Sequence, residues 1–139
     1  MLREVIRCRG HENVRATHKS TLEFTKEDYL TPRGDCILCV GADRGINDLS
    51  DEFKAALKAG RKVLIRIRVG DLVDEVIAEG SPGLILKHDY SMVIRKSGYI
   101  DARTLAIRAN KAARDIDRRI VELLKKPGTV AEVELIIPE

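Results

Sequence analysis

The chain states one pattern twice. HKSTLEFTKEDYLTPR, residues 18–33, is followed 70 positions later by HDYSMVIRKSGYIDAR, residues 88–103. His18, Lys26, Tyr29 and Arg33 match His88, Lys96, Tyr99 and Arg103, while Leu22/Met92, Phe24/Ile94 and Leu30/Ile100 swap one apolar residue for another. Going backward, Gly10 meets Gly80, Ile6 meets Val76 and Glu4 meets Asp74. Going forward, an offset of 67 pairs Val40/Ile107, Ala42/Ala109, Asp43/Asn110, Arg44/Lys111, Asp48/Asp115 and Leu57/Leu124. An offset of 68 then pairs Ile65/Val133, Ile67/Leu135 and Val69/Ile137. Ordered blocks of this kind are expected of a tandem duplication. The reading is one domain over 1–139, made of two pseudo-symmetric repeats, 1–70 and 71–139, with 44% apolar residues to fill a core.

Each half reads strand, strand, strand, helix, strand. Leu2, Glu4, Ile6 and Cys8 alternate with Arg3, Val5, Arg7 and Arg9. After a GHEN turn, Val14, Ala16, His18, Ser20, Leu22 and Phe24 share one face of a long second strand. A third strand follows at Cys36–Ala42. DLSDEFKAALKAG predicts a helix with Leu49, Phe53, Ala56 and Leu57 on one stripe and Gly60 as its stop. NKAARDIDRRIVELLKKPG is its counterpart, ended by Pro127-Gly128. Gly70-Asp71 is a two-residue hairpin signal between alternating runs. It sets a register in which paired numbers sum to 141, so that Arg66 faces Glu75, Lys62 faces Glu79 and Leu64 faces Ile77. A pseudo-two-fold would pair the last strand with the first, bringing Glu132 and Glu134 to Arg7 and Arg9. The fold expected is α+β: about eight mostly antiparallel strands in a closed or nearly closed barrel with two helices. An open sheet is the alternative.

Composition narrows the function classes. No apolar run approaches a membrane span of roughly 18 residues, and MLREVIRCRG is no signal peptide. Three cysteines, an odd number, point to free thiols and a reducing cytoplasm. A net charge of +3 does not by itself imply nucleic acid, and with no Trp and few aromatics a single-strand binder would lack stacking platforms. Cys8-x-x-His11 and Cys36-x-x-Cys39 resemble metal-ligand pairs. Strand residues three apart face opposite sides, so Cys36 and Cys39 diverge and no metal site is expected.

The halves differ where chemistry is carried. The first has three extra residues around PRGDC, and a GADRGIN loop where the second has RANKAAR. A strand running into a glycine-containing loop before a helix presents backbone N–H groups to phosphate or carboxylate. Gly41 and Gly45 would cradle a small anion, with Asp43 and Arg44 beside them. His11, His18 and Arg33 would supply cationic or hydrogen-bonding groups, and His18 or Asp35 is the candidate for moving a proton. A second reading is an RNA-associated protein using Lys111, Arg114, Arg118 and Arg119 of the second helix. A third is a structural or interaction subunit. Whether the chain is an enzyme, which cofactor it would need and its oligomeric state are not legible.

With RGHENVRATHKSTLEFTKEDYLTPRGDCILCVGAD, SMVIRKSGY and RTLAIRANKAARDIDRR quoted, the chain resembles an archaeal family carried as a domain of unknown function. The GHxNVxAxHxxT, LTxxGDC and KAAxDxDR strings carry the likeness over essentially the whole length. The resemblance implies an archaeal, cytoplasmic origin and transfers no activity.

Overall fold

The computed structural model describes all residues, Met1–Glu139. Strands β1 (Leu2–Arg9), β2 (Thr21–Thr25) and β3 (Ile37–Cys39) lead through a 3-10 turn (Ile46–Asp48) into α1 (Asp51–Lys58) and β4 (Lys62–Val69). β5 (Leu72–Glu79), β6 (Ser91–Arg95) and β7 (Thr104–Ala106) lead through a second 3-10 turn (Ala113–Asp115) into α2 (Arg118–Leu124) and β8 (Val130–Ile137). Two four-stranded sheets result, ordered β1-β8-β4-β5 and β3-β2-β6-β7. The β2–β3 and β6–β7 pairs are parallel, and the other pairings are antiparallel. No helix is long and apolar enough to cross a membrane.

The β4–β5 hairpin has the register its turn dictates. Val69 pairs with Leu72, Arg66 with Glu75, Leu64 with Ile77 and Lys62 with Glu79. Gly70 takes φ +57, the left-handed conformation a two-residue turn needs. β8 lies between β1 and β4. Glu132 meets Arg7, but Glu134 bonds Arg3 at 2.7 Å rather than Arg9, because Arg9 falls opposite Val130.

The barrel expectation is corrected. The strands form two sheets, whose edges touch only at single bridges, Arg9 to Val40 and Glu79 to Ile107. Directly beyond each bridge the chain turns away, because Gly41 (φ +60) and Arg108 (φ 52) are left-handed and break the pleat. The long second strand is corrected too. Only Thr21–Thr25 is strand, although Val14 and Ala16 are buried and Arg15 and Thr17 exposed. Ala16 is left-handed, with φ 49. The Thr17 and His18 N–H groups bond the Asp35 carbonyl instead of a neighbouring strand.

One continuous core fills the space between the sheets. Ile6, Ile65, Val76 and Leu135 come from one sheet, Leu22, Phe24, Met92 and Ile94 from the other, and Phe53, Leu57, Ile120 and Leu124 from the helices. Ser50 caps α1 by accepting the Phe53 N–H at 3.1 Å. Each helix end closes on a glycine from the other half. A Cβ at Gly10 would lie 2.3 Å from the Lys126 carbonyl oxygen, and one at Gly80 2.1 Å from that of Leu57.

The cysteines also differ from expectation. Cys8 and Cys39 form a disulfide, and only Cys36 is free. The Arg9–Val40 bridge sets Cys8 beside Cys39, a neighbour that spacing along the chain does not reveal. Two of three thiols are oxidised, so cysteine content carries no information about compartment. Cys36 and Cys39 do diverge: Cys39 joins Cys8, while the Cys36 thiol donates to Glu23 Oε1 at 3.6 Å.

Candidate functional site

The first-half loop residues are held by the fold in specific ways. The Asp43 carboxylate accepts the Arg7 N–H at 2.9 Å while its own N–H returns to the Arg7 carbonyl. Asn110 does the same to Ile77. Arg44 bonds the Glu4 carboxylate and the carbonyls of Val5 and Asp48. The matching pair in the other half is Lys111 with Asp74. The Gly45 N–H donates to the Asp48 carboxylate at 2.8 Å, holding that carboxyl below its usual range, an effect the Lys26 ammonium reinforces. The Gly41 N–H donates to the Glu27 carbonyl, and the Arg9 guanidinium lies where a Cβ on Gly41 would sit. The Gly41 and Gly45 amides and the Arg44 guanidinium are therefore already satisfied internally.

His18 and His88 share one geometry. His18 Nδ1 accepts the N–H groups of Ser20 and Thr21, both at 3.1 Å, and His88 Nδ1 accepts those of Tyr90 and Ser91. An imidazole nitrogen that accepts two N–H donors carries no proton, so the hydrogen of each neutral ring sits on Nε2. His11 Nδ1 likewise accepts from Asn13 N–H at 3.0 Å. Each ring stands in for the strand partner its loop lacks.

What the structure gathers is a basic face. The Asp35 carbonyl holds the backbone of Thr17 and His18, and the His18 carbonyl accepts the Arg114 N–H at 3.1 Å. The Arg118 guanidinium donates to the carbonyls of Arg15, Ala16, Ala113 and Arg114. Three segments, 15–19, 33–35 and 114–119, thus meet. His18 and Asp35 of the sequence-based set lie here, with Arg33 two residues before Asp35 along the chain. Arg15, Lys19 and Arg33 are exposed without an acidic partner. Lys111 and Arg119 are neutralised by Asp74 and Asp117.

The corresponding face of the other half has the opposite character. Arg15, Lys19, Arg114, Arg118 and Arg119 stand where the second loop, the first 3-10 turn and the first helix carry Ile85, Asp89, Asn47, Asp51 and Glu52. There Asn47 bonds Asp89 and the His88 backbone, with no arginine involved. In the sequence nothing joins Arg15 and Lys19 to the cations around the second helix, because they sit within an alternating run. Only the approach of loop 11–20 to α2 gives them company.

A second cluster lies on the outer side of the β3-β2-β6-β7 sheet. The buried Glu23 carboxylate accepts from Ser91 Oγ at 3.1 Å and lies 3.8 Å from Arg103. Arg95, also buried, bonds Thr104 and Asp101 and stacks 4.8 Å from the Tyr99 ring centroid. Burial, and then the Glu23 charge, push the Cys36 thiol up to about 12, so it stays protonated and is no nucleophile near neutrality. Every buried side-chain polar atom has a partner, which is the signature of a structural network. Glu23 faces Val93 in the register and has no acidic counterpart in the second half.

No group of three or more His, Cys, Asp and Glu side chains is placed to hold a metal ion. The two cavities lie elsewhere, along β4 and β5. One of about 520 Å³ is lined by Val73, Asp74, Glu75, Ile77, Asn110 and Lys111, and one of about 310 Å³ by Lys62, Val63, Leu64, Ile77 and Pro138. The basic face is open.

Known proteins place the chain. The family described as a domain of unknown function, DUF371, matches residues 6–138. An uncharacterised protein of Methanocaldococcus jannaschii, MJ0206, is 53% identical over 122 residues, which is 88% of this chain and 90% of that protein. A match over this much of its length makes the chain a member of the DUF371 family.

Proposed function

We propose that this protein binds a small phosphate- or carboxylate-bearing anion at the first-half loops, with Arg15, Lys19 and Arg33 as the cations that meet it. The supporting observation is the contrast between the two corresponding faces: five positions, basic on one side, carry no basic residue on the other. His18 Nε2, which makes no hydrogen bond within the chain, is a further donor. Arg118, tied to four carbonyls, sets a positive potential without leaving its place. Asp35, two residues from Arg33 and held by its carbonyl to Thr17 and His18, is the candidate proton acceptor.

RNA is the second reading, favoured by one observation: the face is open, and neither cavity reaches it. A phosphodiester chain tracks an open basic surface more readily than a small molecule is enclosed by one. Calorimetric titration with tripolyphosphate and with a short single-stranded RNA, at two salt concentrations, separates the two. Saturable tripolyphosphate binding that Arg15→Glu/Lys19→Glu abolishes supports the small-anion site. RNA binding alone, falling steeply with salt, supports the second reading. If neither ligand binds, or the variant binds as the parent does, both readings fail.

We also infer that the two halves descend from one unit by tandem duplication. The support lies in recurrent backbone devices rather than identities alone. Left-handed residues recur at Ala16/Leu86 and Gly41/Arg108. Imidazole caps recur at His18/His88. Carboxylates holding the turn before each helix recur at Asp48/Asp115.

A further inference from the structure

The turn after β6 is stitched to the basic face. The Lys96 N–H donates to the Ser20 carbonyl at 2.9 Å, and the Lys96 ammonium pairs with Asp115 at 2.9 Å, next to the Arg114 whose N–H holds the His18 carbonyl. Residues 96–99 thus adjoin both segments that carry the cations. Tyr99 stands at the end of this turn and is 61% exposed. The Arg95 guanidinium lies over its ring, 4.8 Å from the centroid, and is itself fixed by Thr104 and Asp101, each at 2.9 Å. One face of the ring is therefore covered by a pinned cation, and the opposite face is left to solvent. The line back to the site is continuous. Arg95 pairs with Thr21 across the β2–β6 ladder, where directly opposed residues share a face of the sheet. Thr21 Oγ1 lies 3.0 Å from His18 Nδ1.

The matching tyrosine of the other half has a different setting. At Tyr29 the Glu27 carboxylate raises the hydroxyl above the ordinary tyrosine value, with a smaller effect from Tyr90. The positions that match Arg95 and Glu27 are Thr25 and Ser97. The two tyrosines thus differ in charge as the two faces do, a carboxylate beside one and a guanidinium over the other. We propose that the anion bound at the basic face is a nucleotide, its base stacked on the free face of Tyr99 and its phosphates on Arg15, Lys19 and the His18 Nε2–H. This inference rests on the anion site proposed above and names its ligand class. An aromatic side chain accepts the π-face of any base, and the cations beside it take the phosphates. Tyr99 is three residues beyond Lys96, at most about 11 Å of extended chain, and Lys19 is one residue before Ser20, so a nucleoside triphosphate bridges the two. A single ring also selects one base over a strand. Proteins that track single strands stack successive bases on several aromatics. Here Phe24 and Phe53 are buried, and Tyr29 and Tyr90 lie near each other in the other half, which leaves Tyr99 alone on this face.

Calorimetric titration of the full chain with ATP and with tripolyphosphate, both free of divalent metal, is the test, because the two ligands carry the same phosphate chain and differ by the nucleoside. ATP is expected to bind about 5- to 100-fold more tightly, the range that stacking one base on one aromatic ring supplies. Tyr99→Ala should bring ATP down to the affinity of tripolyphosphate and leave tripolyphosphate itself unchanged. The ring it removes is mostly exposed and Arg95 keeps Thr104 and Asp101, so the fold tolerates the change. Tyr99→Phe, which keeps a stacking face, should retain the ATP preference, and so should Tyr29→Ala in the other half. Equal affinities for the two ligands overturn the inference, as does an ATP preference that survives Tyr99→Ala. A short single-stranded RNA that binds while ATP does not overturns it as well. Tripolyphosphate that binds with no gain from the base defeats this inference and leaves the anion site standing, whereas failure of both ligands to bind defeats the two together.

Discussion

Reducing the Cys8–Cys39 disulfide should lower the stability of this protein markedly. The bond closes a loop with a sequence separation of 31. In the chain-entropy treatment, a loop of that size removes about 12 cal/mol/K from the unfolded ensemble, or about 3.7 kcal/mol at room temperature. A chain of 139 residues unfolds with an entropy of roughly 2.1 cal/mol/K per residue, so the loss corresponds to a drop in Tm of about 13 °C. The comparison is best made on the parent protein, oxidised against fully reduced. Substituting Cys8 or Cys39, both buried, would add a packing cost to the lost cross-link. Calorimetry with and without a phosphine reductant gives the shift, and intact mass after thiol blocking in denaturant reports one free thiol before reduction and three after. Cys36→Ser is the control and should leave the reductant effect in place. A reductant shift of less than about 3 °C, or three free thiols in the untreated protein, would refute the reasoning: the cross-link would then be absent, or the unfolded chain already too restricted to gain from it.

Three further outcomes follow from named contacts. The Cys36 thiol, raised from 9.0 to about 12, should alkylate with a rate that climbs well above pH 9; Glu23→Gln should move the profile down. The unfolded chain loses this proton first, so stability should fall as pH rises from about 9 toward 12, and a denaturation series over that range checks the sign. Gly80→Ala, whose Cβ would lie 2.1 Å from a backbone carbonyl oxygen, should destabilise by more than about 3 kcal/mol, measured by urea titration. Fragments 1–70 and 71–139, separately expressed, should each be unfolded by circular dichroism and fold when mixed. β8 is flanked by β1 and β4, and β2 pairs with β6, so neither half owns a complete sheet.

Some of this was legible residue by residue. The β4–β5 register followed from a two-residue turn and from charges that come out complementary in only one alignment. The first helix followed from its apolar stripe and the Gly60 stop; the second begins only at Arg118, so Lys111 and Arg114 lie on the loop and the 3-10 turn before it rather than on the helix. The second strand did not follow, because Val14 and Ala16 alternate in burial as a strand would. What replaces the ladder there is a left-handed Ala16 and an imidazole that accepts two amides. Glycines in the first loop suggested an open anion seat, and periodicity could not show that Asp48 and Glu27 already fill those amides. Glu23 is buried because Ser91 and Arg103 arrive from the other half, and no local pattern announces such partners.

Sequence by itself determined the order of elements and the hairpin register, because these depend on periods of two or 3.6 residues and on turn chemistry carried by neighbours. Tertiary structure alone decided that the strands part into two sheets, that Cys8 finds Cys39 and that Arg15 and Lys19 join Arg114 and Arg118. Those are contacts between segments far apart in the chain. They depend on where left-handed residues turn the backbone at Gly41 and Arg108, and on which loop then comes to lie against which helix.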